Sequence, residues 1–206
     1  MTDSAEHLRE LTPKGRATRG RVVAAAAELM YEQGVAATSL QEVQQASRVS
    51  GSQMYHYFPD KASLVRAVAA WQGETALARQ EPWLSRLDSI AGLRAWRDYL
   101  VSTMRRRECH GGCRIGTMAG ELSDTDPAAR AELAGAFGAW TGSLRDGLRA
   151  MAARGRLAPG ADPVRLADAL LAAAEGGLLL AKCTRDVTVL ENALDTVIDR
   201  VESLTT

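Results

Sequence analysis

Residues 38–61 read TSLQEVQQASRVSGSQMYHYFPDK, and the reading of this stretch decides the architecture. Thr38-Ser39-Leu40-Gln41 has the spacing of a capping box: Thr38 caps a helix and Gln41 reaches back to its amide. That helix runs to about Ser47. Val49-Ser50-Gly51-Ser52 is turn chemistry, after which Ser50 or Ser52 caps another short helix through Tyr57. Phe58-Pro59 ends it, because proline disfavours the helical conformation in the residue before it. Asp60 then caps a further helix with Leu64, Val65, Val68 and Trp71 on its apolar side.

Working outward, a longer helix from about Lys14 to Gln33 precedes the pair. Val22, Val23, Ala26, Leu29 and Met30 share one of its faces, and Gly34 is its stop. Residues 1–13 read as an arm. Beyond Gln80-Glu81-Pro82 the pattern changes to longer amphipathic helices. The expected spans are about 90–110, 114–122, a helix begun by Asp126-Pro127, one over 163–183, and a last one carrying Leu190, Leu194, Val197, Val201 and Leu204. With few aromatics, abundant alanine and leucine and no alternating strand pattern, the chain reads as all-α, with about nine helices.

The 206 residues carry 25 basic and 25 acidic side chains, so a general polycationic coat is excluded and any nucleic-acid surface must be local. Residues 12–66 hold seven lysines and arginines against four acids. Lys14, Arg16, Arg19 and Arg21 cluster at one helix start, either facing a phosphate backbone or simply solvated. Three cysteines are too few for a disulfide scaffold, and no secretory or membrane-spanning pattern is evident, which points to a cytoplasmic protein.

Two short helices joined by a serine-glycine turn behind a support helix are the parts of a helix-turn-helix. The second would enter a major groove, with Gly51, Ser52 and Gln53 nearest the base edges and Gln53 able to pair with adenine. Tyr55, His56 and Lys61 would reach phosphates, as would the backbone amides near Thr38 and Ser39.

The run from Arg16 to Trp71 resembles the DNA-binding domain of the TetR family of bacterial repressors. The closest parts are Thr38 to Val43, Val49 to Ser52 and Met54 to Lys61. The resemblance implies a homodimer on double-stranded operator DNA, with a three-helix DNA-binding domain over residues 14–60. It also implies an effector and dimerisation domain over residues 61–206, and repression relieved by a small ligand. Tyr55, His56 and Lys61 then fall at phosphate-contact positions, and Tyr57 is a contact or a packing residue. Arg48 stands where a glycine is common.

Gly112-Cys113-Arg114-Ile115-Gly116, Ala119 to Ser123 and Asp126-Pro127 resemble a subgroup with members that respond to electrophiles or oxidants. In that reading Cys113 is a sensor thiol, Lys182 falls where such members can carry a lysine, and Cys109 is a resolving thiol. A helix N-terminus and Arg105, Arg106, Arg107 and Arg114 would favour the Cys113 thiolate. The alternative makes Cys113 a small buried residue and Cys109 an incidental thiol. Cys109, His110 and Cys113 supply only three soft ligands, so neither a metal nor a cofactor is expected.

Trp71, Trp83, Trp96, Tyr99, Met118, Phe137 and Trp140 are candidates to line an effector cavity, although most must be core. Glu175, within an apolar helix beside Gly176-Gly177, needs a partner such as Lys182 or an arginine across a dimer, or else binds a cationic ligand. Leu170, Leu178, Leu190, Leu194, Val197 and Val201 are the expected dimer seam, because a helix apolar nearly all round needs covering on both sides. An enzyme, thiol-dependent or otherwise, is disfavoured. No Ser/His/Asp set, phosphate loop or carboxylate pair is visible, and none of His7, His56 and His110 is placed as a general base.

Overall fold

A computed structural model describes residues 11–206 of the chain. Among these residues nine α-helices form the fold: α1 Pro13–Gln33, α2 Leu40–Ser47, α3 Gly51–Tyr57, α4 Lys61–Leu84, α5 Ile90–Arg106, α6 Arg114–Leu122, α7 Pro127–Ala153, α8 Pro163–Thr184 and α9 Thr188–Glu202. The one extended pairing is an isolated antiparallel bridge between Leu157 and Thr205. None of these helices is long and apolar enough to cross a membrane.

Local chemistry sets most of the boundaries. Thr12 accepts the Gly15 amide and Pro13 occupies the first turn, so these two residues open α1 rather than close an arm. The arm assigned to residues 1–13, His7 included, otherwise lies almost wholly outside the described residues. Gly34 ends α1 with φ +90°, a conformation that glycine adopts without a Cβ penalty.

The start of α2 differs by one residue from the sequence expectation. Ser39 is the cap: its hydroxyl accepts the Glu42 amide at 3.2 Å, and Glu42 Oε2 accepts the Ser39 amide at 2.7 Å. A carboxylate makes a stronger, charge-assisted partner at a helix N-terminus than the Gln41 amide. Thr38 is buried and donates to the Gly34 carbonyl at 2.8 Å, tying the α1–α2 turn instead.

Helix α4 also departs from expectation, running through Pro82 to Leu84 rather than ending near residue 79. Proline removes one backbone donor, but here it falls in the last turn. Tertiary packing outweighs the loss: Trp83 stacks on Tyr99 of α5 with centroids 3.9 Å apart.

Two apolar cores result. One gathers Val22, Met30, Val43, Met54, Phe58, Leu64 and Val68 from α1–α4 with Ile115, Met118 and Leu122 of α6 and Leu133 of α7. The other gathers Leu93, Trp96 and Met104 of α5, Trp140, Leu144 and Leu148 of α7, and the inner faces of α8 and α9. The helix-turn-helix is therefore seated on α6 and on the N-terminal half of α7.

Candidate functional site

At the amino-terminal end, α3 is a short helix with one face in the core through Met54 and the other open. Ser52, Gln53, Tyr55 and His56 are exposed, Tyr55 at 61%. Ser50 caps the helix by accepting the Gln53 amide, and Gln53 Oε1 accepts the Ser50 amide at 3.0 Å. That capping box uses one lone pair of the carboxamide oxygen, so a paired contact from Gln53 to N6 and N7 of an adenine has to share that oxygen with the Ser50 amide. Tyr57 is half-buried, packs edge-on against His56, and is a core-side residue in large part.

The basic residues around α3 are arranged unevenly. Arg48 is exposed and closes α2 in the left-handed region, with φ 54° and ψ 44°, which explains why glycine suits that position. Lys61 donates to the Ala36 carbonyl at 2.9 Å and so also steadies the α1–α2 turn. The same turn is held from the other side by Glu121 of α6, whose Oε2 accepts the Val35 amide at 2.9 Å. The role of this carboxylate was not legible in the chain, because its partners are 85 and 86 residues away.

In the body, the loop Gly111-Gly112-Cys113 forms the wall between two hollows. The inner one, about 120 Å³, is lined by Gln72, Ala76, Arg79 and Gln80 of α4, Tyr99, Leu100, Thr103 and Met104 of α5, Arg107, Arg114, Trp140 and Leu178. The outer one, a cleft of about 430 Å³, is lined by Gly111, Gly116, Thr117 and Gly120 with Glu175, Gly176, Leu179 and Lys182 of α8. Gly112 and Cys113 border both. Gly116 lets the Glu175 carboxylate approach closely: a Cβ would lie 2.5 Å from Glu175 Oε2 and would oblige that side chain to shift.

Cys113 caps α6, its sulfur accepting the Gly116 amide at 3.4 Å. The helix terminus is not the dominant influence on it. Burial pushes the thiol well above its ordinary range and the Glu175 charge adds to the push, outweighing the amide. The arginines invoked from the sequence point elsewhere: Arg105 to Glu191, Arg106 to Thr103, Arg107 to the Tyr31 hydroxyl and Arg114 to Glu28. Cys109 is buried in the body core rather than presented at the surface.

Within the protomer Glu175 makes no ion pair. Among the described residues no cation lies against it, Lys182 included, and Oε1 has no hydrogen-bond partner. Burial accordingly raises its carboxyl above the ordinary value, with the Cys113 thiol donating the one bond that offsets this.

Residues 22–68 match a family described as bacterial regulatory proteins, tetR family, and residues 89–197 match the tetracyclin repressor-like C-terminal domain. The chain belongs to the TetR family. An uncharacterised helix-turn-helix regulator of Mycobacterium tuberculosis is 31% identical over 185 residues, covering 84% of this chain and 88% of that protein. Transcriptional regulator AcuR of Cereibacter sphaeroides is 29% identical over 163 residues, or 78% and 74% of the two chains. Among solved structures, a TetR regulator from Chloroflexus aurantiacus superposes with TM-score 0.79 at 27% identity, covering 94% of this chain and 98% of that one. Reduced E. coli NemR shares the fold, with TM-score 0.75 at 23% identity and coverage of 92% and 98%. TetR-family proteins are transcriptional regulators, not enzymes.

Within this TetR-family frame the residues expected at an effector site separate. Tyr99, Trp140 and Cys113 line the inner cavity, and Cys113, Glu175 and Lys182 line the outer cleft. Trp96 is fully buried with its indole donating to Gln80 at 3.0 Å, Met118 belongs to the core beneath the helix-turn-helix, and Phe137 packs between the two cores. Gln72, Arg79 and Gln80 were not foreseen, since no local pattern distinguishes a cavity wall from a core stripe.

The residues expected at a dimer seam are enclosed by the protomer itself. Leu170, Leu178, Leu190, Leu194 and Val201 are buried in the protomer's own core, and Val197 is half-buried against it. Gly177 lets α9 come so close that a Cβ there would lie 2.7 Å from Leu190 Cδ1. The apolar side chains α8 leaves in solvent are Val164, Leu179 and Leu180, at 41%, 66% and 50% exposure.

Proposed function

We propose that the chain is a dimeric repressor whose reading heads, residues 14–60, hold a near-palindromic operator until a small molecule enters the body, residues 61–206. The observation that carries this is α3. A short helix with its inner face packed presents Ser52, Gln53, Tyr55 and His56 outward, with Arg48, Ser50, Gly51 and Lys61 around them. An exposed aromatic and small polar side chains on a free helix face suit a major groove bordered by phosphates. At the start of α2 the contribution comes from the exposed Ser39 and the helix amides, because the Thr38 side chain is turned inward.

The second copy is proposed to pack on the outer face of α8, through Leu179 and Leu180 in place of the buried seam. Two heads related by that two-fold would read half-sites about one helical turn apart. Release by a ligand is favoured over release by thiol modification, because a desolvated Cys113 beside a carboxylate holds its proton. Action on DNA implies a cytoplasmic setting.

The test is fluorescence anisotropy with DNA from upstream of the chain's own gene, titrated with salt. Tight binding with a steep salt slope is expected, since each neutralised phosphate contributes about −0.9 to the logarithmic slope. Binding that is weak and insensitive to salt on that DNA and on a random operator library overturns the reading.

A further inference from the structure

We infer that the inner cavity takes a small organic anion, a short-chain monocarboxylate, and that the anion acts by drawing Arg107 and Arg114 away from α1. This rests on the reading that a ligand in the body controls the head. Two buried donors at the cavity wall have no acceptor: Trp140 Nε1 and Arg114 Nε. Indole and guanidinium groups only donate, so whatever satisfies them must bring acceptors. The charge agrees. Arg79, Arg107 and Arg114 border the cavity and no Asp or Glu does.

Elsewhere on α5, Arg94 is paired with Asp199 and Glu202, Arg97 with Asp195, and Arg105 with Glu191, while Arg106 is turned to the hydroxyls of Ser102 and Thr103. Arg107, just past the end of the helix, has a neutral phenol at 3.0 Å and, among the described residues, no carboxylate. A planar carboxylate matches the fork of such guanidinium groups, and its charge is what the cavity lacks.

Size limits the remainder of the ligand. A dry cavity of roughly 150 Å³ holds a six-carbon ring, and this hollow, of about 120 Å³ and half open to solvent, suits a ligand of a few non-hydrogen atoms. Leu100 and Met104 offer a short hydrocarbon stub an apolar wall. The same two arginines are the ones that grip α1: Arg114 through Glu28 and the face of Tyr31, and Arg107 through the Tyr31 hydroxyl. An anion in the cavity therefore pulls on the same two guanidinium groups that hold Glu28 and Tyr31, and α1 carries the helix-turn-helix.

The experiment is isothermal titration of the full-length protein with sodium propionate at constant ionic strength, beside propionamide, its neutral near-isostere. Operator anisotropy is recorded under the same conditions. Saturable propionate binding is expected, with propionamide weaker by about tenfold or more. Trp140→Phe and Arg107→Gln, each confirmed folded by its melting curve, should each lose a similar factor. Equal binding of the two probes, undiminished binding in both variants, or no propionate binding overturns the site. Propionate binding that leaves operator affinity unchanged overturns the link to α1. Propionate binding by a protein with no affinity for DNA overturns the regulator reading while the anion site stands.

Discussion

Arg114 holds Glu28 by both ends of its guanidinium, at 2.8 and 2.7 Å, across 86 residues of sequence. The pair ties α6 in the body to α1 of the helix-turn-helix, and the Tyr31 ring lies 3.9 Å from the same guanidinium carbon. Glu28 is half exposed, so solvent screening keeps the pair's worth in stability to about 1 kcal/mol or less. Its larger consequence is positional. Glu28→Gln should shift the urea midpoint only slightly, while loosening the head and lowering operator affinity in an anisotropy titration. An unchanged affinity would mean that the fork does not position the head.

Arg48 occupies a left-handed conformation at the end of α2 with its side chain in solvent. Arg48→Gly should stabilise the fold by about 1 kcal/mol, since glycine carries no Cβ penalty there. If the arginine lies along the phosphate backbone, the same change reduces the salt slope of operator binding by about one unit. Chemical denaturation and a salt titration separate the two effects. A loss of stability in the glycine variant would contradict the backbone account.

Glu175 predicts a pH dependence. Burial raises its carboxyl in the folded protein above the unfolded value, so the folded state keeps this proton longer. The associated stability is fully present below the unfolded carboxylate range and is lost as pH rises through the folded value. Glu175→Gln stays neutral throughout. At pH 7 it should be more stable than the parent, by about 1 kcal/mol, and the difference should vanish below about pH 4. Cys113, also raised, follows the same sign at the alkaline end. Stability should fall as pH climbs above about 8.5 and should not do so in Cys113→Ala. Denaturant midpoints across pH measure both.

Leu179 and Leu170 sit on opposite sides of α8, one at 66% exposure and the other fully buried. Leu179→Glu should leave the melting curve of the chain nearly intact and yield monomers by analytical ultracentrifugation, with loss of operator binding. Leu170→Ala should instead lower stability by about 2–5 kcal/mol, because it opens a cavity in the protomer's core. A Leu179→Glu protein that remains dimeric would place the interface on another face.

The helices and their order were legible from the chain alone. Capping serines and aspartates, a proline in the first turn of α1, α7 and α8, and apolar residues at helical spacing are local signals. They act within a few residues, so reading along the sequence recovers them. The helix-turn-helix was legible for the same reason: Ser50, Gly51, Met54 and Phe58 fix its turn and its inner face within one short stretch.

Tertiary structure alone decided which apolar face of α8 is spent inside the protomer. A four-three repeat marks a buried stripe without saying what buries it, and Leu170 and Leu178 are enclosed in the protomer's own core of α5, α7 and α9. It also decided the chemistry around Cys113. Sequence proximity to arginines and to a helix start argued for a thiolate, yet ionisation depends on what surrounds the sulfur in space. Glu175 comes within reach from 62 residues away along the chain, and the arginines turn outward to Glu28, Tyr31 and Glu191. Local hydrogen bonds and periodicity determined the elements, whereas burial and charge at a site are properties of the packed whole.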